Sequence, residues 1–165
     1  MHLIVYGHPA PQGSKKFMGR TATGKGIIVD ASDSTKPWRA DVKATAEQHL
    51  ERYGLPTFTD AVLVRMVFTF LRPKSTKPAK RPHPSVYPDL SKLARSTEDA
   101  LSAAGVWADD ALVVGYSRLA KVYAGEDIEA LQRPGCQIRI EAAEASIPMG
   151  AGLMLPPLEL EATTT

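Results

Sequence analysis

The sequence predicts an α+β fold, a single domain built on a mixed β-sheet covered by two main helices. Three observations predict it. The chain has 165 residues, 44% of them hydrophobic, which is enough for one core and too little for two domains. Short runs rich in β-branched and aromatic residues are interrupted by two longer stretches with helical spacing. The resulting order, strand, strand, helix, strand, helix, strand, strand, lacks the regular alternation of a doubly wound sheet. The domain is expected over residues 1–145. Residues 146–165 end in PPLELEATTT, offer little core and are expected to form a C-terminal tail.

His2 to Gly7 reads as a short strand, closed by HPAPQG, where two prolines and a glycine forbid continuation. A loop or ragged hairpin follows, with a strand at about 26–30 around Ile27, Ile28 and Val29. Gly19 to Gly26, GRTATGKG, imitates a phosphate-binding loop. Gly26, however, stands where that loop needs a Mg²⁺-binding hydroxyl, and a β-branched run stands where it needs a helix, so the segment is read as a basic, glycine-rich turn. Thr35 to Tyr53 is the first helix. Pro37 suits its first turn, Trp38, Val42, Ala46 and Leu50 recur at helical spacing, and Gly54 ends it. Val62 to Leu71, charged only at Arg65, is a central strand.

The next fourteen residues, RPKSTKPAKRPHPS, hold five Lys or Arg, one His and four Pro. Proline prevents regular structure and like charges repel, so an extended, mobile loop is expected. From Leu90, steps of about 100° gather Leu90, Leu93, Ala94, Thr97, Ala100, Leu101 and Ala104 on one face of a second helix, which Gly105 stops. Ala111 to Tyr123, with an irregularity at Gly115, and Gln137 to Ala142 complete the strands.

The formal charge is only +2, but residues 1–95 carry 16 of the 20 Lys and Arg, while the chain from Glu98 onward is acid-rich. A basic half suits a polyanion and an acidic site suits a metal ion. Lys15, Lys16, Arg20 and Lys25 of the turn, Arg72, Lys74, Lys77, Lys80 and Arg81 of the loop, and Lys92 are therefore candidate contacts to DNA phosphates. The single cysteine, Cys136, excludes an internal disulfide and any multi-cysteine metal site, and His2, His8, His49 and His83 lack ligand spacing. No run of 18 apolar residues and no signal-peptide pattern is seen, so a cytoplasmic protein without a membrane partner is expected.

The chemistry concentrates between Pro88 and Asp110, where Asp89, Glu98, Asp99, Asp109 and Asp110 are interleaved with Lys92 and Arg95. Carboxylates suit the hard ion Mg²⁺, and a nearby cation suits a charged phosphoryl transition state. The plainer reading makes Asp89 a helix cap, Arg95 and Glu98 an exposed pair, and Asp109 and Asp110 turn residues. An extended return from Gly105 spans up to about 18 Å against a helix of roughly 21 Å, so Asp110 can reach back toward Asp89 and Glu98; spacing alone leaves this open.

Read together, Asp89-Leu90-Ser91-Lys92-Leu93-Ala94-Arg95, then Asp99-Ala100-Leu101, then Gly105, Trp107, Asp109, Asp110 and Val113 resemble the pattern of the RusA-type Holliday junction resolvases, small phage and bacterial endodeoxyribonucleases. GHPAPQGSKK near the start and Lys36 to Arg39, KPWR, resemble that family too, and the likeness covers about residues 3 to 142. It implies a Mg²⁺-dependent nuclease, with Mn²⁺ as a substitute ion, that acts as a homodimer on four-way DNA in recombination and repair. Asp89 and Asp110 fall on metal ligands. Arg95 falls on the catalytic lysine but keeps only its charge, since guanidinium does not deprotonate. Ser91 falls where the family places a second catalytic aspartate. Glu98, two turns further along the same face, is the candidate to restore that carboxylate as metal ligand and catalytic group. The alternatives are a junction-binding protein with weak or absent nuclease activity and a nuclease for flaps or forks.

Overall fold

The computed structural model describes residues 1–13, 35–144 and, by backbone alone, the strands at 15–20 and 26–30. In chain order the elements are β1 (His2–Tyr6), β2 (Lys15–Arg20), β3 (Gly26–Asp30), α1 (Thr35–Tyr53), β4 (Val62–Phe70), α2 (Leu90–Ala103), a 3₁₀ turn at Asp110–Leu112, β5 (Val113–Tyr123) and β6 (Gly135–Ala142). The fold is α+β with one mixed sheet and two helices, as the sequence predicts. One strand is added to the expected order, because Lys15–Arg20 is also a strand and pairs antiparallel with Gly26–Asp30. The expected tail at 146–165 lies outside the described residues.

The main sheet has the order β1-β6-β4-β5. β6 pairs antiparallel with both β1 and β4, and β4 pairs parallel with β5. β1 alternates exposed and buried residues, as an edge strand covered on one face should. β4 is buried along most of its length because both faces are covered. Val64, Met66 and Phe68 meet Trp38 and Val42 of α1 and Leu93 and Leu101 of α2 in one core. The segment 124–134 crosses the other face, where the Leu131 amide donates to the Thr69 hydroxyl (3.0 Å) and Glu129 receives Arg65 (2.8 Å). Gly135 opens β6 because nothing larger fits: a Cβ there would lie 2.3 Å from the Val5 carbonyl oxygen.

Parallel β4 and β5 cannot be joined by a tight turn, and α2 is their crossover helix. Trp38 fixes it laterally. The indole is 1% exposed and its Nε1 donates to the Thr97 hydroxyl (3.1 Å), which itself donates to the Leu93 carbonyl (2.9 Å). Among the described residues no helix is long and apolar enough to cross a membrane.

Candidate active site

The helix α2 buries Leu93, Ala94, Ser96, Thr97, Ala100 and Leu101; of the face the spacing predicts, Leu90 and Ala104 are only half-buried, and Ser96 is added. Gly105 ends it in the left-handed region (φ 72°), and the Val106 amide bonds back to the Leu101 carbonyl (3.1 Å). Asp89 stands at the N-cap in extended conformation, yet its side chain makes no capping bond. Its carboxylate instead lies 3.3 Å from Lys92 and is 58% exposed.

The loop that delivers Asp89 is pinned from β5. Lys121 Nζ donates to the carbonyls of Val86 (2.7 Å) and Pro88 (2.8 Å). Burial holds its ammonium below the usual lysine range, while the charge of Asp89 pulls the other way. Phe70, Pro84, Tyr87, Pro88 and Tyr123 join Lys121 around a cavity of about 170 Å³ beside this loop, and Tyr87 is 70% exposed at its mouth. The N-terminal breaker segment packs here too, since the Gln12 amide donates to the Lys92 carbonyl (3.0 Å) and Gln12 Oε1 is buried without a partner.

Glu98 does not pair with Arg95. It accepts a hydrogen bond from the Tyr116 hydroxyl of β5, and burial, then Glu98, push that phenol above its ordinary range. Arg95 is exposed and has no ion pair among the described residues. Asp99 faces Arg39 of α1 (3.5 Å). Asp109 accepts from the Ala111 amide (2.8 Å) and so shapes the 3₁₀ turn, whose first residue is the exposed Asp110. Behind that turn, Trp107 bridges to Phe58 and donates Nε1 to the Ser102 hydroxyl (2.7 Å).

These contacts fix the direction of β5 relative to α2. Trp107 sits level with Ser102, Tyr116 with Glu98 and Lys121 with Pro88, so the return from Gly105 and the strand beyond it run antiparallel to the helix. Asp110 opens the 3₁₀ turn that precedes β5, and Asp89 stands at the N-terminus of α2. On the way to that turn, residues 106–108 pair with Phe58. Among the described residues no three His, Cys, Asp or Glu are grouped closely enough to hold a metal ion; Mg²⁺ itself needs only one or two carboxylates, with waters and substrate phosphate as its other ligands.

The basic loop is not extended. Turns close it at Thr76 and at Lys80–Arg81, through amide bonds to the carbonyls of Pro73 and Lys77. Arg72 is committed inward: it lies 3.9 Å over the Tyr123 ring, pairs with Glu126 and donates to the Arg81 carbonyl. Lys74, Lys77 and Lys80 are exposed and Arg81 is half-buried. The side chains of Lys15, Lys16 and Arg20, and all of Lys25, lie outside the described residues. Sequence reasoning missed Lys121 and Tyr116. Their one signal is the alternation of β5, which two irregularities of register, beside Val114 and Ser117, scramble.

No curated protein matches the chain. Residues 7–141 match the family model for endodeoxyribonuclease RusA, a span that takes in the main sheet from the end of β1, both helices, the Lys121-pinned loop and every carboxylate discussed above. With most of its length matched, the chain belongs to the RusA endodeoxyribonuclease family.

Proposed function

We propose that this protein resolves four-way DNA junctions by paired, Mg²⁺-dependent hydrolysis of two phosphodiester bonds, working as a homodimer, with Mn²⁺ able to replace Mg²⁺. The family match over residues 7–141 carries this reading, since membership implies an endodeoxyribonuclease of Holliday junctions. Asp89 and Asp110 are the metal ligands in this proposal, Glu98 is the third carboxylate, and Arg95 offers a fixed positive charge to the phosphoryl group. Lys74, Lys77, Lys80, Arg81 and Lys92 meet the DNA backbone, joined by Lys15, Lys16, Arg20 and Lys25 of the hairpin segment. The exposure of Asp89 and its cationic neighbours supports access by a phosphate. A junction has two equivalent strands to cut, which suits a two-fold enzyme.

The test is a synthetic four-way junction incubated with Mg²⁺ or Mn²⁺ beside flap, fork and linear duplex controls. The wild type should cut the junction in two symmetrical places, whereas Asp89→Asn and Asp110→Asn should bind it and fail to cut. Full cleavage by both variants would sink the assignment. Two observations favour a second reading, a junction binder with little nuclease activity: Ser91 offers no charge, and Glu98 is engaged by Tyr116. A junction bound but uncut by the wild type, with cleavage gained in Ser91→Asp, is the outcome that reading expects.

A further inference from the structure

We propose that Tyr116 is a positioning residue of the active centre: its phenol holds one oxygen of Glu98, so that the other is presented to the metal ion. The inference rests on the reading of Glu98 as the third carboxylate and adds what orients it. A long side chain on a helix surface samples many rotamers unless something holds it. Glu98 is half-buried, and the cations of its own face are spent elsewhere, Lys92 beside Asp89 (3.3 Å) and Arg39 beside Asp99 (3.5 Å). What holds Glu98 is the Tyr116 hydroxyl, which donates to Oε1 and leaves Oε2 out of the bond.

β5 departs from regular alternation to make this contact. Residues paired across neighbouring strands share a face of the sheet. On β4, Val64, Met66 and Phe68 face the helices and the core, whereas Arg65 and Thr69 face the segment 124–134. Their partners on β5 follow suit. Tyr116 opposite Val64, Leu119 opposite Met66 and Lys121 opposite Phe68 lie on the helix side, and Arg118 opposite Arg65 lies on the other, where it pairs with Asp127 and Glu129. Positions i and i+2 of a regular strand share a face, so an unbroken β5 would put Tyr116 with Arg118, away from α2. Ser117 is the extra residue between the pairs Val64–Tyr116 and Arg65–Arg118, and this bulge turns Tyr116 over to the helix side, where its hydroxyl meets Glu98. A neutral donor suits the task. Outer hydrogen bonds orient the carboxylates that bind metal ions, and a phenol does so without the positive charge with which a lysine or arginine would compete with Mg²⁺.

Metal binding tests the proposal without relying on cleavage. Mn²⁺ is titrated into the full-length chain and the free ion followed by its EPR signal, for the wild type, Tyr116→Phe, Glu98→Ala and the double variant. Loss of an outer hydrogen-bond donor weakens metal binding by about tenfold or more. Tyr116→Phe should therefore bind Mn²⁺ about tenfold more weakly, with the melting temperature and the metal-free affinity for a four-way junction unchanged. In the Glu98→Ala chain the same substitution should add nothing, because no carboxylate is left to orient. Wild-type Mn²⁺ affinity in Tyr116→Phe overturns the positioning role. A loss that persists undiminished in the Glu98→Ala chain overturns it as well, since Tyr116 then acts by another route. Unchanged Mn²⁺ affinity in Glu98→Ala, or no Mn²⁺ binding by the wild type, is a different failure: it removes the third-carboxylate reading itself, and the role of Tyr116 falls with it.

Discussion

Lys121→Met removes the pin behind Asp89 while keeping the length and the apolar stem of the side chain. Two charge-assisted hydrogen bonds are lost, to the carbonyls of Val86 and Pro88. Such bonds contribute about 1.5–3 kcal/mol each when buried. The Val86 bond is exposed and the Pro88 bond only part-buried, so the pair together is worth about 2 kcal/mol to the pinned loop. At 1.36 kcal/mol per tenfold, the unpinned loop presents Asp89 correctly about one thirtieth as often, and single-turnover cleavage of a four-way junction should fall by about that factor. Global stability should fall by less than about 2 kcal/mol, because the core does not contact the Nζ. Gel-shift affinity for the junction, measured without divalent metal, should change by less than about threefold. Wild-type cleavage by Lys121→Met would refute the positioning role, and a rate loss matched by an equal loss of affinity would reassign Lys121 to DNA binding.

Glu98→Gln keeps a partner for the Tyr116 hydroxyl but not the charge. If Glu98 stands in for the carboxylate absent at Ser91, Mg²⁺-dependent cleavage falls at least about tenfold with the melting temperature nearly unchanged; an unaltered rate ends that role. Glu129 is held below the ordinary glutamate value of 4.5 by Arg65 first and by Arg118 as well, and Arg118 likewise holds Asp127 below its ordinary range. A carboxylate depressed in the folded state adds stability that is complete above its ordinary value and lost as pH falls through the folded one. The melting temperature should therefore hold down to about pH 4.5 and decline below it, and Glu129→Gln should lower the plateau and flatten the acid limb. Gly135→Ala drives a methyl toward the Val5 carbonyl and should cost about 1–3 kcal/mol in urea unfolding.

What the sequence made legible was local. The spacing of Leu93, Ala94, Thr97, Ala100 and Leu101 was enough to orient α2, and the uninterrupted run in β4 was enough to make it central. The same spacing left the path beyond Gly105 open, because a left-handed residue there does not fix what residues 106–108 pair with. That choice is made by pairing with residues 45 or more positions away, which no local pattern encodes. Arg72 misled for a related reason. A cation in a proline-rich loop reads as solvated until Tyr123 and Glu126, more than 50 residues on, are found beneath it.

The sheet order β1-β6-β4-β5 also bears on how the molecule comes together. The last strand among the described residues is an interior one: β6 lies between β1 and β4 and gives each of them its antiparallel neighbour. As the chain leaves the ribosome, β1 has no partner in this sheet until some 130 residues later, and β4 holds only whatever α2 and β5 provide. Closure is therefore dominated by distant pairings, the circumstance in which folding is slow and unpaired edges stay open to other chains. The β5 edge, which no described strand covers, is one such edge.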